Sequence, residues 1–100
     1  MAVKIIWSNE AEITFEKNID YLQKNWTDKE IANFVKQTNH ILSRIQLNPL
    51  MYMASPKSRF IRKAHINKYI ILYFRYYVSK KEVLLLSFWH SKQNPAKLKY

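Results

Sequence analysis

The chain has 100 residues, no cysteine, no glycine and a formal net charge of +10. Without cysteine there is no disulfide framework, thiol nucleophile or Cys-based zinc site. Without glycine, against an average usage of ~7%, phosphate-binding loops and dinucleotide fingerprints are excluded, because both need tight turns and close backbone approach.

VKIIW (3–7) reads as a first strand with Val3, Ile5 and Trp7 on one face. Ser8 or Asn9 then caps a helix, and Glu12 stands three residues after Asn9 at capping-box spacing. Phe15, Ile19, Leu22 and Trp26 form its apolar stripe. Thr27-Asp28-Lys29-Glu30 is a second capping box. It opens a helix with stripe Ile31, Phe34, Val35, Thr38, Ile41, Leu42 and Ile45, which stops at Asn48-Pro49 because proline cannot continue it. Two helices so closely joined predict an antiparallel hairpin.

PLMYMASPKS (49–58) lacks periodicity and reads as a surface loop. After it the apolar period drops from 3.6 to 2. RFIRKAHI (59–66) is a predicted strand, Asn67-Lys68 a tight turn, and YIILYFRYYV (69–78) a second strand. A turn at Ser79-Lys80-Lys81 leads to EVLLLSFWH (82–90), apolar on both faces and expected inside the sheet. SKQNPAKLKY (91–100) reads as a polar tail. The expectation is a single α+β domain over 1–100 with β-α-α-β-β-β order, its helical hairpin packed on one face of a small, mainly antiparallel sheet.

The charge is unevenly distributed. Residues 1–56 balance six Lys/Arg against six acids, whereas residues 57–100 carry eleven Lys/Arg against Glu82 alone. Alternation along 69–78 puts Ile70, Leu72, Phe74, Tyr76 and Val78 under the helices. It leaves Tyr69, Ile71, Tyr73, Arg75 and Tyr77 on the wetter face. Arg59, Ile61, Lys63 and His65 share one face of the preceding strand, with Arg62 opposite. Such a basic, aromatic face suits a polyanion or an acidic partner, although β-propensity and solubility account for single residues of it.

Among the histidines, His40 lies beside a helical stripe and His65 at a strand end; His90 is best placed, next to Trp89, Lys92 and Gln93. Cleavage of RNA by 2′-hydroxyl attack needs proton transfer and cations, which His90, Arg75, Arg59, Arg62 and Lys63 would supply. The alternative for His90 is a structural or partner-contact role. No metal or other cofactor is expected, because the histidines are far apart in sequence and the basic half is poor in acids. No leader-like segment opens the chain and no apolar run approaches the ~20 residues of a membrane span, so a cytoplasmic protein is expected.

Trp7–Ala11 (W-S-x-x-A), the helical pair ending at Asn48-Pro49, ILYFRYY (71–77) and LLSFWHSKQNP (85–95) together resemble toxins of the RelE/ParE superfamily of bacterial type II toxin–antitoxin systems. The resemblance implies the fold derived above, growth arrest, and a cognate antitoxin whose acidic or amphipathic C-terminal segment wraps the toxin. RelE-like members cleave mRNA on the ribosome; ParE-like members inhibit DNA gyrase. The closing HSKQNP is similar to the H-x-R-x-[ND]-P ending of the ParE side, with Lys92 in place of arginine, and favours gyrase. The nuclease alternative would use His90, Arg75, Arg59 and Arg62. On either branch Lys63, Tyr69, Tyr73, Tyr77, Trp89, Lys92 and Gln93 are expected to contact target or antitoxin. A third reading is a non-toxic, basic nucleic-acid-binding module.

Overall fold

The structure, a computed structural model, describes residues 3–100. Its elements are β1 (Lys4–Trp7), α1 (Asn9–Asn25), α2 (Asp28–Leu47), β2 (Ala54–Ser55), β3 (Ser58–His65), β4 (Ile70–Tyr77) and β5 (Glu82–His90). Short 3₁₀ turns occupy Pro49–Met51 and Pro95–Lys97. The strands form one five-stranded sheet in the order β1-β5-β4-β3-β2, with β1 parallel to β5 and the remaining pairs antiparallel. β5 therefore lies inside the sheet, as its two apolar faces predict.

Local chemistry sets the helix ends. Ser8 caps α1, its hydroxyl accepting the Ala11 N–H at 3.0 Å, so the Asn9–Glu12 box does not form. Glu10 and Glu12 sit in the first turn, where the helix dipole favours negative charge. Thr27 precedes α2 as expected, but its side chain makes no capping bond; its carbonyl accepts the Glu30 N–H at 3.0 Å instead. α2 ends at Asn48, which leaves helical geometry ahead of Pro49.

The helices cover one sheet face through an aromatic cluster. Trp7 stacks on Phe88 (5.4 Å between centroids) and meets Phe15 edge-on (5.4 Å), while Phe15 stacks on Phe34 (5.1 Å). Leu72, Phe74, Val83, Leu85 and Ile45 are fully buried beneath and around this cluster. Burial of each such side chain stabilises by ~1.5–3 kcal/mol.

β1 pairs only with Glu82–Leu85, which leaves the far half of β5 without a neighbouring strand on that side. α1 fills the vacancy with polar side chains. Ser8 Oγ donates to the Leu86 carbonyl (3.3 Å), Thr14 Oγ1 accepts the Phe88 N–H (2.9 Å), and Asn18 Nδ2 donates to the Phe88 carbonyl (3.1 Å). Asn18 is buried at 6% exposure for this reason. A helix thus protects the strand edge that β1 leaves open.

Four expectations need correction. The 49–58 loop contains a 3₁₀ turn and the two-residue strand β2, in which Ala54 pairs with Arg62 and Ser55 with Ser58. Val78 does not pack under the helices; it lies past the end of β4 and is 64% exposed. Residues 91–100 are not a free tail. They fold back over the open sheet face, where Tyr100 stacks on Tyr73 (6.0 Å) and reduces Tyr73 to 4% exposure. Finally, Tyr69 does not lie on the wetter face; it packs toward the helices, 6.4 Å from Trp26. The turn between β4 and β5 forms where expected and places Lys81 at φ 52°, a left-handed conformation usually given to glycine.

Candidate functional site

His90 closes β5 opposite Ile70 and points to the helix side of the sheet. There it lies 5.1 Å from the Tyr21 ring of α1 and runs parallel to Tyr69 at 6.1 Å, with an interplanar angle of 5°. Lys92 Nζ donates to Tyr21 Oη (2.9 Å), and the Lys92 N–H donates to His90 Nδ1 (3.1 Å). The backbone thus occupies one imidazole nitrogen as an acceptor and leaves the proton on Nε2. Burial, then the positive charge of Lys92, holds the His90 pKa below its ordinary 6.5. The hydrogen bond to Tyr21 raises the Lys92 pKa. A cavity of about 270 Å³ opens beside this group, lined among others by Lys17, Asn18, Tyr21, His90, Lys92 and Gln93. Its chemistry is that of an anion acceptor with aromatic walls. The neutral His90 supplies a fixed N–H donor rather than a proton acceptor.

The other sequence-predicted residues are distributed elsewhere. Trp89 and Tyr73 belong to the opposite sheet face, near the returning C-terminal segment. Lys99 Nζ forms an ion pair with Glu10 (3.3 Å), and Tyr100 Oη donates to the same carboxylate (3.1 Å). Ser55 Oγ donates to the Tyr100 carbonyl and Lys57 Nζ to the Leu98 carbonyl. Burial, reinforced by Glu10, pushes the Tyr100 phenol up to about 12, and burial also raises that of Tyr73. Neither phenol is suited to accept a proton near neutrality.

Arg75 and Tyr77 lie at the far end of β4, with Arg59 on the neighbouring β3. From the register position of His90 at Ile70 to Arg75 is five residues, or roughly 16 Å along the strand, and the two side chains are on opposite faces. Arg62 faces the helix side, and its guanidinium donates to the Tyr52 carbonyl (2.6 Å). Lys63 lies on the open face beside His65 and lines a shallow depression with Met51 and Met53. The structure therefore unites His90, Tyr69, Lys92 and Gln93. It does not bring His90 together with Arg59, Arg62 or Arg75. Tyr21, Lys17 and Asn18 complete the site without having been singled out in the sequence; Lys17 and Tyr21 stand one helical turn apart on α1.

Two helices on one face of a five-stranded mixed sheet, with a short edge strand and a C-terminal segment folded over the other face, define a small α+β fold. The sequence matches the family described as the ParE toxin of the type II toxin–antitoxin system parDE over residues 5–95, and the chain belongs to that family. The fold is similar to a chain in the structure of the chromosomal ParDE system of P. aeruginosa, with TM-score 0.73 and 13% identity, covering 91% of this chain and 98% of that one. It is also similar to a chain of the RelBE2 toxin–antitoxin complex of Mycobacterium tuberculosis (TM-score 0.60, 15% identity, coverage 90% and 99%). A third neighbour is a chain of the YoeB–YefM complex of Staphylococcus aureus (TM-score 0.56, 21% identity, coverage 90% and 99%). No curated protein sequence matches the chain significantly. No helix among the described residues is long and apolar enough to cross a membrane.

Proposed function

We propose that this ParE-family toxin arrests bacterial growth by inhibiting DNA gyrase, without cleaving RNA, and that a cognate antitoxin with an acidic segment restrains it. The separation of the candidate nuclease groups carries this reading. Phosphodiester cleavage needs donor, acceptor and cation within hydrogen-bond reach of one phosphate. His90 has Nδ1 engaged by the Lys92 N–H, Tyr100 is tied to Glu10, and Arg59 and Arg75 lie at the other end of the sheet on its other face. The family match over residues 5–95 supports a toxin restrained by an antitoxin.

The cavity beside His90 is the candidate contact region for the target or the antitoxin. Its lysines and the net charge of +10 favour an acidic counterpart. Mapping of new RNA 5′ ends after controlled expression tests the proposal. Growth arrest without new ends inside translated codons is the expected result; ends clustered within codons would replace it with the ribosome-dependent nuclease. His90→Ala should then abolish cleavage.

A further inference from the structure

Far from His90, at the opposite end of β3 and β4, cations and rings alternate. Arg59 Cζ lies 4.9 Å from the centroid of Phe60, and Arg75 Cζ lies 5.3 Å from the same ring. Arg75 is also 4.7 Å from Tyr77, and Lys80 Nζ is 5.7 Å from the same ring. Phe60 is 55% exposed, and Arg59 and Lys80 are exposed. Arg62 spends its guanidinium on a backbone carbonyl. Among the described residues the side chains of Arg59, Arg75 and Lys80 make neither a hydrogen bond nor an ion pair. Glu82, opposite Tyr77 in the register, is the nearest acid in sequence and neutralises none of them.

We infer that this ladder is a binding platform for single-stranded nucleic acid, separate from the His90 cavity. The inference goes beyond the toxin reading and does not depend on it. The rings hold the guanidinium planes in place, so less side-chain freedom is lost when they meet phosphates. Bases stack on exposed rings and on guanidinium planes, while phosphates pair with the free cations. An acidic peptide would use only the cations, and its carboxylates would meet the negative faces of Phe60 and Tyr77. A duplex would offer its phosphates but keep its bases stacked away from the rings. Single strands satisfy both halves of the ladder at once.

The test is fluorescence anisotropy of a short labelled oligothymidylate against the full chain at several salt concentrations. Phe60→Ala should weaken binding roughly ten-fold with an unchanged salt slope, since a stacking contact is lost and no counterion release changes. Phe60→Leu, which keeps the apolar bulk, should lose as much. Arg59→Ala and Arg75→Ala should each flatten the slope of log K against log salt by about 0.7. Lys24→Ala and Lys36→Ala, on the helices, should leave affinity within about two-fold. The oligonucleotide should remain intact. Three results would overturn the inference: no saturable binding at low salt, wild-type affinity in Phe60→Ala, or displacement by polyglutamate as effective as by unlabelled oligonucleotide. The last would identify the surface as one for acidic peptides.

Discussion

Replacing Thr14 by valine should destabilise the fold by about 2 kcal/mol, although the two side chains are nearly the same shape. Thr14 Oγ1 accepts the Phe88 N–H at 2.9 Å and donates to the Glu10 carbonyl at 2.8 Å. Valine leaves that N–H facing α1 without an acceptor, on a residue that is only 1% exposed and packed against Trp7 and Phe15. An orphaned buried donor costs ~1–3 kcal/mol. Asn18→Ala orphans the Phe88 carbonyl in the same way and removes a second bond, from Asn18 Nδ2 to the Thr14 carbonyl (2.9 Å). For a domain whose total stability is ~5–15 kcal/mol, either loss is large. In urea, with a slope of ~1–3 kcal/mol per molar, the midpoint should fall by about 1 M without a change in slope. The double variant should lose less than the sum of the single ones, because both side chains hold the backbone of the same residue, Phe88. A Thr14→Val midpoint equal to wild type would refute the claim that α1 side chains satisfy the open half of β5.

Four further outcomes are expected. By NMR, His90 should titrate below its ordinary 6.5, because burial and Lys92 disfavour its charged form; Lys92→Ala should move it upward. As the unfolded chain then protonates first, the His90 contribution to stability is present above pH 6.5 and declines as pH falls below it, a decline that His90→Gln removes. Tyr100 works in the opposite sense. Its phenol rises from 10.0 to about 12 on folding, so its contribution is full below pH 10 and is lost as pH climbs toward 12; in ultraviolet difference titration the last phenol to ionise should be missing in Tyr100→Phe. Lys81→Gly should raise stability by about 1 kcal/mol in urea melts, since φ 52° strains a side-chain-bearing residue.

The period-2 and period-3.6 patterns were sufficient for both helices and for β3, β4 and β5, because each carries a continuous apolar face. β2 was not legible: two residues between Pro49 and Pro56 make no period, and their pairing with β3 is non-local. Thr14 and Asn18 were also hidden. Polar residues on a helix read as solvent-facing, and only the shortness of β1 gives them buried partners on β5. The same applies to the C-terminal segment. SKQNPAKLKY has the composition of a tail, and nothing local announces that Tyr100 will stack on Tyr73, twenty-seven positions earlier in the chain. The candidate site was half readable. Lys92 and Gln93 adjoin His90 in sequence and do meet it, whereas Trp89 faces the other way and Tyr69, assigned by alternation to the wetter face, joins His90 instead. The arginines were grouped with His90 on charge alone, whereas strand register separates them by the length of β4.

The central claim is gyrase inhibition, and the most direct measurement is supercoiling of relaxed plasmid by purified gyrase with increasing amounts of this chain. Supercoiling should stop, and no RNA added to the same reaction should be cut. Full supercoiling in the presence of folded, excess toxin would contradict it.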